Sequence, residues 1–166
     1  MCGFLVLIKS NSQQIESKKI QNITNLLRNR GPDQQGFIQT SHSIFISSRL
    51  AHRDQSSRAR QPMSDVESSS IISFNGEIIN DEELRNVLKT KGVTFHTSSD
   101  TEVILKGYLN EGRSFFSKLR GMFSFVLWDA HEKKHVVVRD WFGIKPLYFS
   151  QTSFGPVLSS LIKPMA

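Results

Sequence analysis

The sequence holds one cysteine, and it is residue 2, in the opening run "MCGFLVLI". A thiol so placed has an unusual base within reach. The initiator methionine is normally removed when the next residue is small, and removal would make Cys2 the amino terminus. A free α-amine titrates at about 7.7–8.0, near working pH. It can take the thiol proton directly or through a water, so that nucleophile and base share one residue and no catalytic histidine is required. The apolar residues Gly3 to Ile8 would anchor the reacting end. On position alone, a small buried residue at a strand start is an equal reading.

A second pattern with chemistry in it is "HEKKH", His131 to His135. It matches H-E-x-x-H, which binds zinc when both histidines share one face of a helix. Here it lies between FSFVLWD and VVVRD, two strand-like runs, so a charged hairpin turn is expected and no metal site. His42, His52 and His96 have no ligand spacing, and no P-loop, G-x-G-x-x-G or G-x-S-x-G occurs.

The elements around these residues follow from apolar periodicity. Gly3 to Ile8 reads as a buried strand. Beyond the polar residues 11–14, Ile15, Ile20, Ile23, Leu26 and Leu27 mark an amphipathic helix closed by Gly31-Pro32. Residues 36–39 and 43–48 read as a strand pair, 52–69 as a polar Ser/Arg-rich loop, and Ile71 to Phe74 as another buried strand. Asn80 with Glu83, and Ser99 with Glu102, are helix-start signatures ahead of Leu84, Val87, Leu88 and of Val103, Ile104, Leu105, Tyr108, Leu109. Phe115, Phe116 and Leu119 suggest a short third helix. Residues 122–128 and 135–138 form a hairpin, and 147–149 and 157–158 short strands. Strands, then helices, then strands argue α+β, with two antiparallel sheets face to face and helices outside.

The chain of 166 residues is expected to form one domain with a core large enough to need no disulfide or metal. One cysteine excludes an internal disulfide and Cys-rich zinc or iron–sulfur frameworks, and fits a reducing, cytoplasmic setting. No apolar run suits a signal-peptide core or a membrane span. The net charge is +6, yet the basic residues are scattered, with Arg49/Arg53/Arg58/Arg60 and Lys133/Lys134 the densest groups. Without a basic face or interleaved aromatics, no nucleic-acid partner is expected.

Several stretches together carry a resemblance. They are Met1-Cys2-Gly3, "RGPDQQG" (30–36), "FNGEIIN" (74–80), "SSDTEVIL" (98–105), "LRGMFSFVLWD" (119–129) and "RDWFGIKPLY" (139–148). In this order they resemble class II glutamine amidotransferase domains, the N-terminal-nucleophile type of glutamine-dependent asparagine synthetases, over nearly the whole chain. The resemblance implies a four-layer αββα fold and hydrolysis of L-glutamine to glutamate and ammonia. By the same resemblance Cys2 attacks the side-chain amide, and Asn75 with the backbone N–H of Gly76 stabilises the oxyanion, the missing side chain of Gly76 letting that backbone approach the substrate. Arg49, beside Leu50, would grip the α-carboxylate with a planar fork of donors. Asp100 and Glu77 would face the α-ammonium, and Arg30 to Asp33 would belong to a loop that closes over the glutamine. A free amino acid's zwitterion fits Arg49 with Asp100, which argues against an N-terminal-nucleophile peptidase.

The sequence departs from the family in three places. After Arg49-Leu50 the family usually has Ser, two apolar residues and Asp, whereas this chain reads Ala51-His52-Arg53-Asp54. Ile79 stands where Tyr is usual, and Leu161 where an acidic residue is. No Gly-rich ATP-binding loop occurs, so a synthetase domain, with its ATP and magnesium, is expected on another polypeptide or on a removed segment, and no cofactor in this domain. The resemblance allows a homodimer. A non-catalytic scaffold or glutamine-sensing domain is the alternative, favoured by His52-Arg53 and by Met1, which blocks the α-amine.

Overall fold

The computed structural model describes residues 1–10 and 14–165, so the polar stretch 11–14 falls outside it but for Gln14. Among the described residues, nine strands form two antiparallel sheets. The first contains β1 (Gly3–Ile8), β2 (Gln34–Gln39), β3 (Ser43–Arg49), β8 (Tyr148–Thr152) and β9 (Gly155–Ser159), in the order β2-β3-β1-β9-β8. The second contains β4 (Met63–Ser64), β5 (Ile71–Ile78), β6 (Gly121–Asp129) and β7 (Lys134–Arg139), in that order. The helices are α1 (Ser17–Leu27), α2 (Asp81–Thr90) and α3 (Asp100–Glu111).

Period-two side chains sort into three apolar layers, because successive residues of a strand face opposite ways. Leu5, Leu7, Ile44, Ile46 and Val157 pack with Ile20 and Leu27 of α1 on one outside. Phe4, Val6, Phe45, Ile71, Val126, Trp128 and Leu158 fill the space between the sheets. Ile72, Phe74, Ile78, Phe125 and Leu127 pack with Leu84, Leu88, Val103, Ile104 and Tyr108 of α2 and α3 on the other outside. The expected αββα layering is what the chain forms.

The differences from the sequence reading have local causes. Strand β5 runs on from Phe74 to Ile78, through Asn-Gly-Glu, residues of poor strand propensity; eight register pairs with β6 hold it extended. The third helix is a 3₁₀ segment, Gly112–Lys118. Asn80 does precede α2 but makes no cap bond; its amide donates to the Lys118 carbonyl and accepts from the Arg120 N–H. Ser99 does cap α3, accepting from the Glu102 N–H at 3.3 Å.

The H-E-x-x-H run forms the β6–β7 turn, with His131 exposed and His135 on β7. His135 lies 4.7 Å from the Trp128 ring, centroid to centroid, and burial pulls its pKa down to about 4. It is a neutral packing group, not half of a helical zinc pair. No cluster of three His, Cys, Asp or Glu that could hold a metal occurs among the described residues, and no described helix is long and apolar enough to cross a membrane.

Candidate active site

Cys2 precedes β1, the middle strand of its sheet, paired on both sides by β3 and β9. Gly3 pairs with Ser48, so one step further back Cys2 comes level with Arg49 at the end of β3. The turn beyond Arg49 brings the Leu50 carbonyl 4.0 Å from Cys2 Sγ, which donates to it. Across the sheets, the end of β5 brings Gly76 and Glu77, and the first turn of α3 brings Asp100. Cys2, Arg49, Leu50, Gly76, Glu77 and Asp100 line one cavity of about 180 Å³. The fold thus gathers six of the eight residues expected from sequence.

Asn75 and Arg30 are placed differently. Asn75 is fully buried on β5, and both of its amide atoms lack a hydrogen-bond partner among the described residues. Leaving such atoms unpaired costs about 1–3 kcal/mol each, and Asn75 does not line the cavity, although its neighbours Phe74 and Gly76 do. Arg30 lies beside the β1 terminus, its Cβ 3.1 Å from where a Cβ on Gly3 would stand, and does not line the cavity. Its loop still serves the site. A Cβ on Gly31 would come within 2.4 Å of the Ser48 and Arg49 backbone, so only glycine lets the loop lie on the end of β3. There Asp33 Oδ2 accepts from the Ala51 N–H at 2.8 Å.

Gly76 has a different reason from the one expected. The atoms its Cβ would strike are the Met122 carbonyl oxygen at 2.2 Å and Phe123 Cα at 2.7 Å. The missing side chain makes room for β6 rather than for a substrate.

Charge is divided across the cavity. Arg49 is buried, and its Nη2 donates to the Asp54 carbonyl oxygen. Asp100 is buried and accepts from the Ile78 N–H at 3.1 Å. Burial pushes its carboxyl pKa up, opposed by that N–H and by Arg53. Burial likewise pushes the Cys2 thiol up, so the thiol stays protonated until a base takes its proton. The Met1 α-amine is pulled down by burial, helped by the cations Arg30 and Lys145.

Three residues at the site were not assigned roles from sequence. Gln61 Nε2 lies 3.9 Å from Cys2 Sγ and 3.4 Å from Thr101 Oγ1, while its Oε1 accepts from the Phe74 N–H at 2.8 Å. It is fixed on three sides against the nucleophile. Asp54 holds the loop that supports Arg49, and Arg53 bonds Glu77. All three fall in a polar stretch without periodicity, where only the Arg53 departure stood out.

A family model described as a glutamine amidotransferase domain matches residues 1–166. The chain belongs to this family. The amidotransferase domain is 39% identical over 153 residues to a glutamine-hydrolyzing asparagine synthetase of Bacillus subtilis (strain 168), covering 90% of this chain and 24% of that protein. It is 33% identical over 156 residues to asparagine synthetase B of Escherichia coli (strain K12), covering 93% of the chain and 28% of that protein. It therefore spans about a quarter of the length of these relatives. Among solved structures, glutamine phosphoribosylpyrophosphate amidotransferase from B. subtilis superposes with a TM-score of 0.74 at 21% identity, over 96% of this chain and 42% of that one. That likeness supports the amidotransferase domain's fold.

Proposed function

We propose that this domain hydrolyses L-glutamine to glutamate and ammonia through Cys2, and hands the ammonia to an ATP-dependent synthetase of the asparagine synthetase kind. One observation carries the reading: Arg49 and Asp100, of opposite charge, flank the only thiol in one cavity of about 180 Å³. A guanidinium and a carboxylate so placed suit the two charges of a free amino acid and leave its side-chain amide facing the sulfur.

With Met1 removed, the Cys2 α-amine takes the thiol proton, and the thiolate adds to the amide carbon. The oxyanion receives hydrogen bonds from the Asn75 amide and the Gly76 N–H, and the unpartnered Asn75 amide supports this role. Collapse breaks the C–N bond, and ammonia leaves with the proton the amine had held. Water then opens the thioester, giving glutamate and the free thiol.

Synthesis on the acceptor requires ATP and magnesium, which belong to the synthetase half. An exposed apolar patch supports such a partner. Trp141 and Phe142 are 87% and 91% exposed, and Ile144, two residues on, is exposed as well, while Leu147 packs inward.

The test is ammonia release from glutamine by the purified chain, with intact mass reporting the loss of one methionine. Release by the processed chain and none by its Cys2→Ala variant is the expected result. Glutamine binding without release, in a processed chain, would instead establish the sensing domain that the Arg53–Glu77 pair favours.

A further inference from the structure

Arg53 is partly exposed, yet its guanidinium is turned onto two carboxylates. Its Nη2 lies 3.1 Å from Glu77 Oε1, and its Nη1 bonds Asp81 Oδ1. Two nitrogens of one fork thus join the end of β5 to the first turn of α2. Arg53 and Glu77 both line the cavity that holds Cys2, Arg49 and Asp100. Arg53 thus occupies Glu77, the carboxylate that the family resemblance assigns to a substrate ammonium.

Two features keep it there. Asp81 is 3% exposed, and Arg53 is its only side-chain partner among the described residues. Withdrawing Arg53 would strand a buried carboxylate, which is strongly unfavourable. A guanidinium also keeps its charge at every accessible pH and grips two carboxylates through separate nitrogens. Held by the buried Asp81, the group meets an arriving ammonium with like charge. Asp100 alone remains to attract that ammonium, and Asp100 already faces Arg53.

We propose that Arg53 is a specificity-determining residue whose guanidinium takes over the ammonium-binding carboxylate, so that the site draws little affinity from a substrate's α-amine and accepts γ-carboxamides lacking it nearly as well as glutamine. The chemical class is a short carboxylic acid ending in a primary amide, held by Arg49 at one end and presented to Cys2 at the other. This rests on the glutaminase reading above.

The test compares L-glutamine with glutaramate, which is glutamine without its α-amine. Binding is measured by calorimetry in the Cys2→Ala chain, and hydrolysis by ammonia release in the chain with Cys2 intact. Two changes are made in each: Arg53→Val alone, and Arg53→Val with Asp81→Asn, which removes the stranded charge if the single variant is unstable. With Arg53 present, the two amides should differ in Kd by less than about threefold, the effect of a weak exposed charge contact. In the double variant glutamine should bind about tenfold tighter with glutaramate unchanged, as for one recovered charge-assisted hydrogen bond. A preference that the substitutions leave unaltered, in a chain that still hydrolyses glutamine, overturns the role of Arg53 alone. Failure of both amides to bind, with no ammonia from either, overturns the glutaminase reading and this inference with it.

Discussion

Asp54 and Ser98 are joined twice: Asp54 Oδ2 accepts from the Ser98 N–H at 2.8 Å and from its Oγ at 3.1 Å. The other oxygen accepts from the Ser56 N–H at 2.8 Å, and the Asp54 carbonyl receives Arg49. One residue therefore ties the loop after β3 to the loop before α3, the two segments that bring Arg49 and Asp100 to the cavity. Although burial opposes it, these donors hold the Asp54 carboxyl down at about 2 against an ordinary 3.8.

Asp54→Ala should lower stability by about 1–3 kcal/mol, since backbone N–H groups lose their acceptor. Because the folded pKa lies below the unfolded one, the stabilisation is complete above about pH 4 and disappears as pH falls towards 2. Urea melts across that window should show a larger loss in the native chain than in the variant, which keeps the other depressed carboxyls Asp65, Asp129 and Asp140. Glutamine kcat/KM should also fall about ten- to a hundredfold, the scale for a misplaced binding group.

Cys2→Ala should abolish ammonia release while circular dichroism and glutamine binding persist. In the Met1-bearing chain the half-buried thiol should react with iodoacetamide along a pH curve centred above the usual value of about 8.5. A midpoint at or below neutrality would mean that the surroundings already form the thiolate, and the α-amine would lose its role as base.

Asn75→Ala separates two functions in one measurement. Loss of one oxyanion donor lowers kcat about a hundred- to a thousandfold. Its amide has no hydrogen-bond partner among the described residues, so thermal stability should change little. A large drop in melting temperature with kcat intact would make Asn75 a structural residue.

Arg49→Lys should reduce kcat/KM for glutamine by about tenfold or more, because a point charge cannot hold the Asp54 carbonyl and a carboxylate with separate nitrogens. Steady-state kinetics over a range of glutamine concentrations checks this. An unchanged constant would leave Arg49 as a support for the Asp54 loop only.

Trp141→Ser with Phe142→Ser should leave glutamine hydrolysis by the isolated chain unaltered, since both side chains lie in solvent. The doubly substituted chain should lose any acceleration by a co-purifying synthetase supplied with its acceptor and ATP. Equal acceleration of both chains would place the docking surface elsewhere.

The layers were legible because each apolar stripe has a period of 2 or 3.6, and Ile72, Phe74, Leu84 and Leu88 fall on them. Cys2, Arg49 and Asp100 were legible only as parts of longer motifs, since each alone reads as an ordinary strand-end or helix-cap residue. Gln61 and Asp54 were not legible. Each acts through a partner distant in sequence, Phe74 or Thr101 for one and Ser98 for the other, and no local pattern marks a polar residue that folding will bury. Gly76 shows a third case: it lines the cavity, but the space left by its missing side chain is filled by the strand 46–47 residues further on.

The central place of β1 also dictates an order of events during synthesis. Its Phe4 N–H and carbonyl are bonded by Ser160 and Ser159, side chains 156 and 155 residues away. The ribosome adds about 5–20 residues each second, so the newborn amino end waits on the order of ten seconds before its last neighbouring strand exists. During that interval β1 has only β3 to pair with. Once β9 arrives, Leu5, Val6 and Leu7 are closed on their second side. The strand that anchors Cys2 is therefore completed only when nearly all of the domain has been made.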